Sequence, residues 1–187
     1  GPLGTRCVAL RMRRSGVRIF PGVQNAPHRN VRGVFRFPMI DVSFPPYVPP
    51  RRWRGGHRQT IWPSLFRTVE GVTYQRERLE LADGDFLDLD WMRTDAPDAP
   101  VAIVAHGLEG SSERAYVRGL VRALHRRGWD VLAWNLRGCS GEPNRLLRTY
   151  HSGVSDDLDA VVCHVLGRGI RQLAVLGFSL GGNVTLK

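Results

Sequence analysis

The pentapeptide Gly177-Phe178-Ser179-Leu180-Gly181 is the segment of this sequence with the clearest capacity for chemistry. It fits the pattern G-x-S-x-G, in which a chain that turns sharply from a strand into a helix presents a strained, exposed serine hydroxyl. Glycine is needed two residues to either side because a Cβ there would collide with the turn. Ser179 is therefore the predicted nucleophile for acyl transfer. The alternative is a tight strand–helix connection with an incidental serine.

A second glycine-containing segment, His106-Gly107-Leu108-Glu109-Gly110, directly follows the apolar run Val101–Ala105. Acyl transfer needs two backbone N–H groups to hold the oxyanion that develops on the substrate. One of them comes from the residue after the nucleophile, and the other comes from a loop behind a neighbouring strand. We therefore expect Leu180 and Leu108 to form the oxyanion hole.

Four further residues are expected to line this site: His106, Gly107, His151 and Phe178. His106 stands before the predicted oxyanion loop, so we expect its imidazole to form structural hydrogen bonds rather than to act as the catalytic base. The same bracing role is expected of His151.

The chain before residue 100 predicts extended and looped structure. Prolines at positions 45, 46, 49 and 50 indicate an extended lead-in, and residues 53–62 combine aromatic side chains with a Gly-Gly pair, which predicts a packed loop. Residues 76–81 and 87–91 alternate apolar and polar side chains around the turn residues Asp83-Gly84. This pattern predicts an antiparallel hairpin.

From residue 101 onward, predicted strands and helices alternate. Residues 101–105, 131–134 and 173–176 are short apolar runs, typical of strands covered on both faces. Amphipathic patterns predict helices over residues 113–127, with Ser112 as the N-cap, and over residues 155–166.

This order of elements predicts an α/β fold with a doubly wound, mostly parallel sheet and an antiparallel first hairpin. Ligands of such sheets bind outside the carboxyl ends of the parallel strands. The segments that begin at His106 and Gly177 both lie at such ends.

The net charge of +10 is concentrated in the first 38 residues. Of the 27 Lys and Arg and the 17 Asp and Glu, residues 1–38 contain eight arginines and no acid, which leaves 19 basic and 17 acidic side chains in residues 39–187. We predict a basic, unstructured tail over residues 1–38 and a folded domain over residues 39–187.

Three interpretations of this tail stay open. It could be a basic arm for nucleic acid or anionic lipid, or a transit peptide rich in arginine. It could also be sequence that is not native protein, because residues 15–19 correspond to one reading frame through the T-arm of a transfer-RNA gene. Met39 would then be the start.

Several classes of protein are disfavoured by composition. No apolar run reaches the roughly 18–20 residues that a membrane-spanning helix needs. Three cysteines with no close-spaced pair argue against a disulfide framework or a zinc site, and favour the cytoplasm. No P-loop, zinc spacing or base-stacking motif supports a nucleic-acid binder. We expect no metal, no cofactor and no nucleic-acid partner.

From about residue 44 onward, the sequence resembles the YheT-like branch of the α/β-hydrolases, a group of bacterial proteins related to eukaryotic phospholipase-type hydrolases. Six motifs carry the resemblance in the family's order: Arg54-Gly55-Gly56-His57 with Gln59-Thr60, Asp83-Gly84-Asp85-Phe86 running on to Asp90-Trp91, His106-Gly107-Leu108-Glu109-Gly110-Ser111-Ser112, Asn135-Leu136-Arg137-Gly138-Cys139-Ser140-Gly141, Tyr150-His151-Ser152-Gly153 and Gly177-Phe178-Ser179-Leu180-Gly181-Gly182-Asn183. The resemblance implies hydrolysis of a small-molecule or lipid ester through an acyl-enzyme at Ser179.

The sequence departs from the family's pattern after the nucleophile. In α/β-hydrolases the triad acid and histidine follow the serine along the chain. Only eight residues follow Ser179, and none is Asp, Glu or His. We therefore expect an α/β-hydrolase domain truncated after the nucleophile elbow, inactive alone, with the triad acid and histidine outside this chain. A non-catalytic hydrolase-fold binding module or remnant, and a basic-tailed nucleic-acid binder, are the alternatives.

Overall fold

The computed structural model describes the backbone of residues 17–21 and all atoms of residues 48–187. The described residues divide into two compact units, one of residues 17–21 with 69–187 and one of residues 48–68. The predicted division at residue 39 lies outside the described residues.

In the smaller unit, a 3-10 turn at Arg51–Trp53 precedes helix α1, Gly56–Phe66. The sequence predicted a loop over residues 53–62, and that prediction is wrong. Gly55 has φ 116° and begins the helix, so the Gly-Gly pair marks a helix start. The ring of Trp62 packs against Trp53 and Phe66, with centroids 5.9 and 4.4 Å apart. These aromatic contacts stabilise the helix locally.

The larger unit is built on one sheet of six described strands. They are β1 (Val17–Pro21), β2 (Gln75–Glu80), β3 (Phe86–Met92), β4 (Val101–Ala105), β5 (Asp130–Trp134) and β6 (Gln172–Gly177). The order across the sheet is β1-β6-β4-β5-β3-β2. The central strand β4 is parallel to both β5 and β6, and β2 and β3 form the predicted antiparallel hairpin. The α/β fold that the sequence predicted is confirmed.

Neighbouring residues along each strand point to opposite faces of the sheet, so a continuous apolar strand needs a covering layer on both faces. Helices provide these layers. Helices α2 (Ala115–His125), α3 (Asp156–Leu166) and α4 (Leu180–Leu186) follow β4, β5 and β6. Ile103 of β4 packs in one buried cluster with residues of α3 and α4. Its neighbour Val104 packs in the other cluster with residues of α2. Both faces are therefore apolar, as the continuous runs predicted.

The outer edge of β6 is occupied by β1, whose residue Val17 pairs with Leu176 and Pro21 with Gln172 in antiparallel register. The sequence predicted an unstructured tail over residues 1–38, so the prediction is wrong at these five residues. An edge strand offers unpaired N–H and C=O groups, and the segment Val-Arg-Ile-Phe-Pro supplies the β-branched and aromatic residues that strands favour. Residues 1–16 and 22–47 lie outside the described part of the chain.

The start of α2 also differs from its prediction. The N-cap position belongs to Arg114, and Ser112 lies two residues earlier. The Ser112 Oγ donates instead to the Asp90 carboxylate at 2.5 Å. Within residues 17–21 and 48–187, the structure has no helix with the length and apolar character needed to cross a membrane.

Candidate active site

Ser179 occupies a strained turn between β6 and α4. Its backbone has φ 50° and ψ −114°, values that a residue with a Cβ adopts only under constraint. Such a conformation costs on the order of 1–3 kcal/mol and persists where the surrounding structure enforces it. The strand, the turn and the helix that the sequence predicted around Ser179 are all present.

Two glycines make this turn possible. A Cβ added to Gly177 would lie 2.4 Å from the backbone C and O of Gly181. A Cβ added to Gly181 would in turn lie 2.4 Å from the carbonyl oxygen of His106 and 2.7 Å from that of Ala105. Backbone atoms cannot move aside as a flexible side chain can, so both positions require glycine.

The turn at Ser179 lies directly beside the segment that follows β4. The backbone N–H of Phe178 donates to the Ala105 carbonyl at 3.0 Å, which extends the pairing of β4 and β6 by one bond. A Cβ added to Gly107 would lie 3.4 Å from the Cβ of Ser179. Neighbouring parallel strands thus bring their carboxyl ends together, as the sequence predicted.

Most backbone N–H groups of the loop after β4 already have acceptors. Gly107 N–H donates to the Tyr116 hydroxyl at 3.0 Å, and Glu109 N–H donates to the Tyr150 hydroxyl at 2.9 Å. Gly110 N–H donates to the Gly107 carbonyl at 3.1 Å. Within the described residues, Leu108 N–H has no acceptor. The same is true of Leu180 N–H in the first turn of α4, where helix donors lack intrahelical partners.

His106 is fully buried, and both of its ring nitrogens are engaged. Nδ1 lies 2.7 Å from the Gly107 carbonyl, which can only accept, so Nδ1 carries the proton. Nε2 then accepts the Leu136 N–H at 3.1 Å. Burial lowers the pKa of His106, with a smaller contribution from the Arg114 charge, so the ring is neutral. A ring held in this way braces the loop and has no free nitrogen to receive a proton.

Comparison with known proteins identifies the family to which this chain is related. A family model described as the alpha/beta hydrolase fold matches residues 100–187, which include both strand-end segments. The chain belongs to the α/β-hydrolase superfamily.

Within that superfamily, the chain is similar to two curated proteins with enzyme names. It is 43% identical over 141 residues to YheT, a candidate esterase of Escherichia coli (strain K12), and the alignment covers 74% of this chain and 42% of YheT. It is 31% identical over 158 residues to phospholipase ABHD3 of Mus musculus, which covers 80% of this chain and 38% of the relative. The matched region therefore spans less than half the length of either relative.

A solved structure supports the fold independently. The esterase Pf2001 of Pyrococcus furiosus superposes with a TM-score of 0.53 at 23% identity, over 64% of this chain and 47% of that one. At this level of identity, the likeness is evidence for the α/β-hydrolase fold.

A buried carboxylate anchors the far end of the loop after β4. Asp90 of β3 accepts hydrogen bonds from Ser112 Oγ at 2.5 Å, Asn135 Nδ2 at 2.7 Å and both sides of the Arg76 guanidinium at 2.7 and 2.9 Å. Asn135 Oδ1 also accepts the Ser112 N–H at 2.8 Å. Burial alone would raise the pKa of Asp90, but the bonds from Arg76, Ser112 and Asn135 outweigh it and lower the pKa.

A second buried ion cluster holds the loop after β5. The Arg137 guanidinium donates to both Asp157 oxygens at 2.8 and 2.7 Å and to Asp85 at 2.9 Å. The pKa of Asp85 is also lowered, since bonds from Asn144, Arg145 N–H and other donors outweigh its burial. Sequence analysis missed both clusters, because no local pattern marks which acidic residues meet which arginines.

The other predicted lining residues lie in different surroundings. Phe178 contacts the ring of Tyr116 edge to face, with centroids 4.7 Å apart. His151 is exposed, and its Nδ1 accepts the Gly153 N–H at 3.0 Å within its own turn. Within residues 48–187, no group of three His, Cys, Asp or Glu side chains is placed to hold a metal ion.

Proposed function

We propose that this protein is a serine hydrolase of carboxylic esters, either small-molecule or lipid, that forms an acyl-enzyme at Ser179. The observation that carries the proposal is the backbone of Ser179, with φ 50° at a strand–helix turn beside the glycine-containing loop after β4. Strain of this kind is the hallmark of a nucleophile elbow, where it exposes the serine oxygen to the substrate. The names of the relatives, a candidate esterase and a phospholipase, support an ester as substrate.

In the proposed reaction, Ser179 Oγ attacks the ester carbonyl carbon and loses its proton to a base. The carbonyl oxygen becomes an oxyanion, and the N–H groups of Leu108 and Leu180 donate to it. The lack of an acceptor for either donor among the described residues supports this role. Collapse of the tetrahedral intermediate expels the alcohol, which takes up the proton. Water then attacks the acyl-enzyme and releases the acid.

The base and its orienting acid are proposed to lie outside these 187 residues. Both nitrogens of His106 are engaged in hydrogen bonds, and no Asp, Glu or His follows Ser179. Serine is a weak nucleophile until a neighbouring base accepts its proton. Residues 1–187 by themselves are therefore expected to show no turnover. The cytoplasm stays the proposed location, on the basis of the cysteine count.

Turnover of p-nitrophenyl esters by the full-length gene product tests the proposal. Ser179→Ala is expected to lower kcat by about 10⁴-fold or more, since the residual rate would come only from substrate binding and the oxyanion hole.

Ser155→Ala is the matched control, because Ser155 also precedes a helix but has ordinary backbone angles of φ −94° and ψ −19° and makes no capping bond. Its kcat is expected to equal that of the wild type. A Ser179→Ala variant with the kcat of the wild type would contradict the assignment of Ser179 as the nucleophile. No turnover in the wild type on any ester would favour a non-catalytic module.

A further inference from the structure

Two tyrosine hydroxyls flank the one loop donor between Gly107 and Gly110 that has no acceptor among the described residues. Tyr116 accepts the N–H of the residue before Leu108, and Tyr150 accepts the N–H of the residue after it. We infer that Tyr116 and Tyr150 are positioning residues that aim the Leu108 N–H at the oxyanion, an inference that rests on the proposed function of Ser179.

Tyr150 holds a strained residue in place. Glu109 has φ 51°, one of two positive φ values among the described residues other than glycine. A residue with a Cβ pays on the order of 1–2 kcal/mol for this conformation, so an unheld loop would relax towards negative φ. The bond from Glu109 N–H to Tyr150 opposes that relaxation. Relaxation of Glu109 would rotate the peptide unit next to Leu108 N–H.

Tyr116 contacts both the loop after β4 and the turn that contains Ser179. Its hydroxyl accepts the Gly107 N–H, and its ring packs edge to face on Phe178, the residue before Ser179. One side chain therefore touches both halves of the site. A Cβ added to Gly110 would lie 2.7 Å from the Tyr116 hydroxyl oxygen, so glycine at 110 leaves the space that this hydroxyl occupies.

Neither tyrosine needs to contact the substrate in this role, because each acts through the position of the Leu108 N–H. An oxyanion donor must lie about 2.7–3.1 Å from the oxyanion itself, and small displacements of such a donor slow the chemical step. Binding of the ground-state ester depends much less on that distance. Loss of either hydroxyl should therefore lower kcat and leave KM nearly unchanged.

The test compares Tyr116→Phe and Tyr150→Phe with Tyr74→Phe in the full-length gene product. The Tyr74 hydroxyl donates to the Ser112 carbonyl at 3.0 Å, so the control variant also loses one hydrogen bond to this loop, but at its far end, where the bonds of Ser112 to Asp90 and Asn135 remain. We expect Tyr116→Phe and Tyr150→Phe each to lower kcat on a p-nitrophenyl ester by about 10-fold with KM changed less than about twofold. Tyr74→Phe should keep kcat within about twofold of wild type at a similar loss of Tm.

A second measurement separates misplacement of the Leu108 N–H from a general loss of stability. A trifluoromethyl ketone forms an oxyanion with the active serine, so its inhibition constant should rise by the same factor as kcat/KM falls in Tyr116→Phe and Tyr150→Phe. Wild-type kcat in both variants, or an equal loss in Tyr74→Phe, would overturn the inference while leaving the serine mechanism intact. Absence of Ser179-dependent turnover in the wild type would overturn the proposed function, and the inference with it.

Discussion

The two turns that meet at Ser179 are held in place by different forces. The turn between β6 and α4 is fixed by close packing of backbone atoms. Gly177 and Gly181 allow this packing, because a Cβ at either position would collide with neighbouring backbone atoms. The loop after β4 is fixed by side-chain hydrogen bonds from other parts of the chain, which reach it at His106, Gly107, Glu109 and Ser112.

This difference decides how each turn responds to change. Repulsion between backbone atoms rises steeply over tenths of an ångström, so a substitution in the first turn either fits or forces the chain to move. Hydrogen bonds can be removed one at a time, and each contributes a modest net free energy. A single substitution in the turn between β6 and α4 should therefore disrupt the whole turn, whereas the loop after β4 should lose stability in small steps.

Gly181→Ala should have the largest effect on stability. Its Cβ would lie 2.4 Å from the His106 carbonyl oxygen, so either α4 or the end of β4 must shift. We expect the free energy of unfolding to fall by about 3 kcal/mol, at the upper end for overpacked sites, as measured by urea denaturation.

Gly182→Ala provides the comparison on the same helix. Its Cβ would lie 3.0 Å from one carbonyl oxygen, that of Gly177, and alanine favours helix over glycine by about 1 kcal/mol. This variant should lose much less stability. An equal loss in both variants would show that the packing at Gly181 is not special.

Asp90→Asn tests the hydrogen-bonded loop at its buried anchor. The change keeps the shape of the side chain but leaves Ser112, Asn135 and Arg76 with a neutral partner. Because the Arg76 side chain is 42% exposed and stays partly solvated, we expect a loss of about 2–3 kcal/mol, below that for a fully buried pair.

Asp88→Asn on the same strand is the control for activity. Asp88 accepts both guanidinium bonds of Arg78, at 2.9 and 3.1 Å, but no hydrogen bond from the loop after β4. Both variants should lose stability, and Asp90→Asn alone should lower kcat. Equal kcat in the two variants would contradict the anchoring role of Asp90.

His106 should make stability depend on pH near neutrality. Burial holds its pKa below the ordinary value of about 6.5, so below that pH the unfolded chain binds a proton that the folded chain does not. The free energy of unfolding should therefore fall as pH decreases from 7 to 5, by at most about 2 kcal/mol from this group. The lowered pKa values of Asp85 and Asp90 act in a separate window, below about pH 4.

Urea denaturation at pH 8, 7, 6 and 5 measures this dependence. His106→Gln should flatten it, because the buried imidazole that resists protonation is then gone. A slope unchanged by His106→Gln would show that another group takes up the proton.

The two turns also differ in how far the sequence predicts them. The strand–turn–helix around Ser179 was predicted because its two glycines lie within five residues of sequence, although the carbonyl groups of Ala105 and His106, which also exclude a Cβ at Gly181, lie far away in the chain. The loop after β4 was placed correctly at a strand end, but its supports were missed. Tyr150 is 41 residues from Glu109, and Asn135 is 23 residues from Ser112. Contacts at such separation leave no periodicity in the sequence, and they become visible only when the sheet brings the elements together.

Three predictions were wrong because side-chain or strand contacts outweighed the local sequence pattern. Ser112 looked like an N-cap because its type and position fit, but a distant carboxylate binds its hydroxyl. Residues 53–62 looked like a loop because of the glycines, but an aromatic cluster stabilises a helix. Residues 17–21 looked unstructured because the tail is basic, but an open sheet edge pairs with them. The contacts of Ser112 and of residues 17–21 join parts of the chain that are far apart in sequence, whereas the aromatic contacts lie within residues 53–66.

The central claim is that Ser179 is the nucleophile, and the most direct measurement is the site of covalent labelling. The full-length gene product should react with a fluorophosphonate, and peptide mapping by mass spectrometry should place the adduct on Ser179, with no labelling in Ser179→Ala and wild-type labelling in Ser155→Ala. An adduct on another serine, or undiminished labelling of Ser179→Ala, would contradict the account.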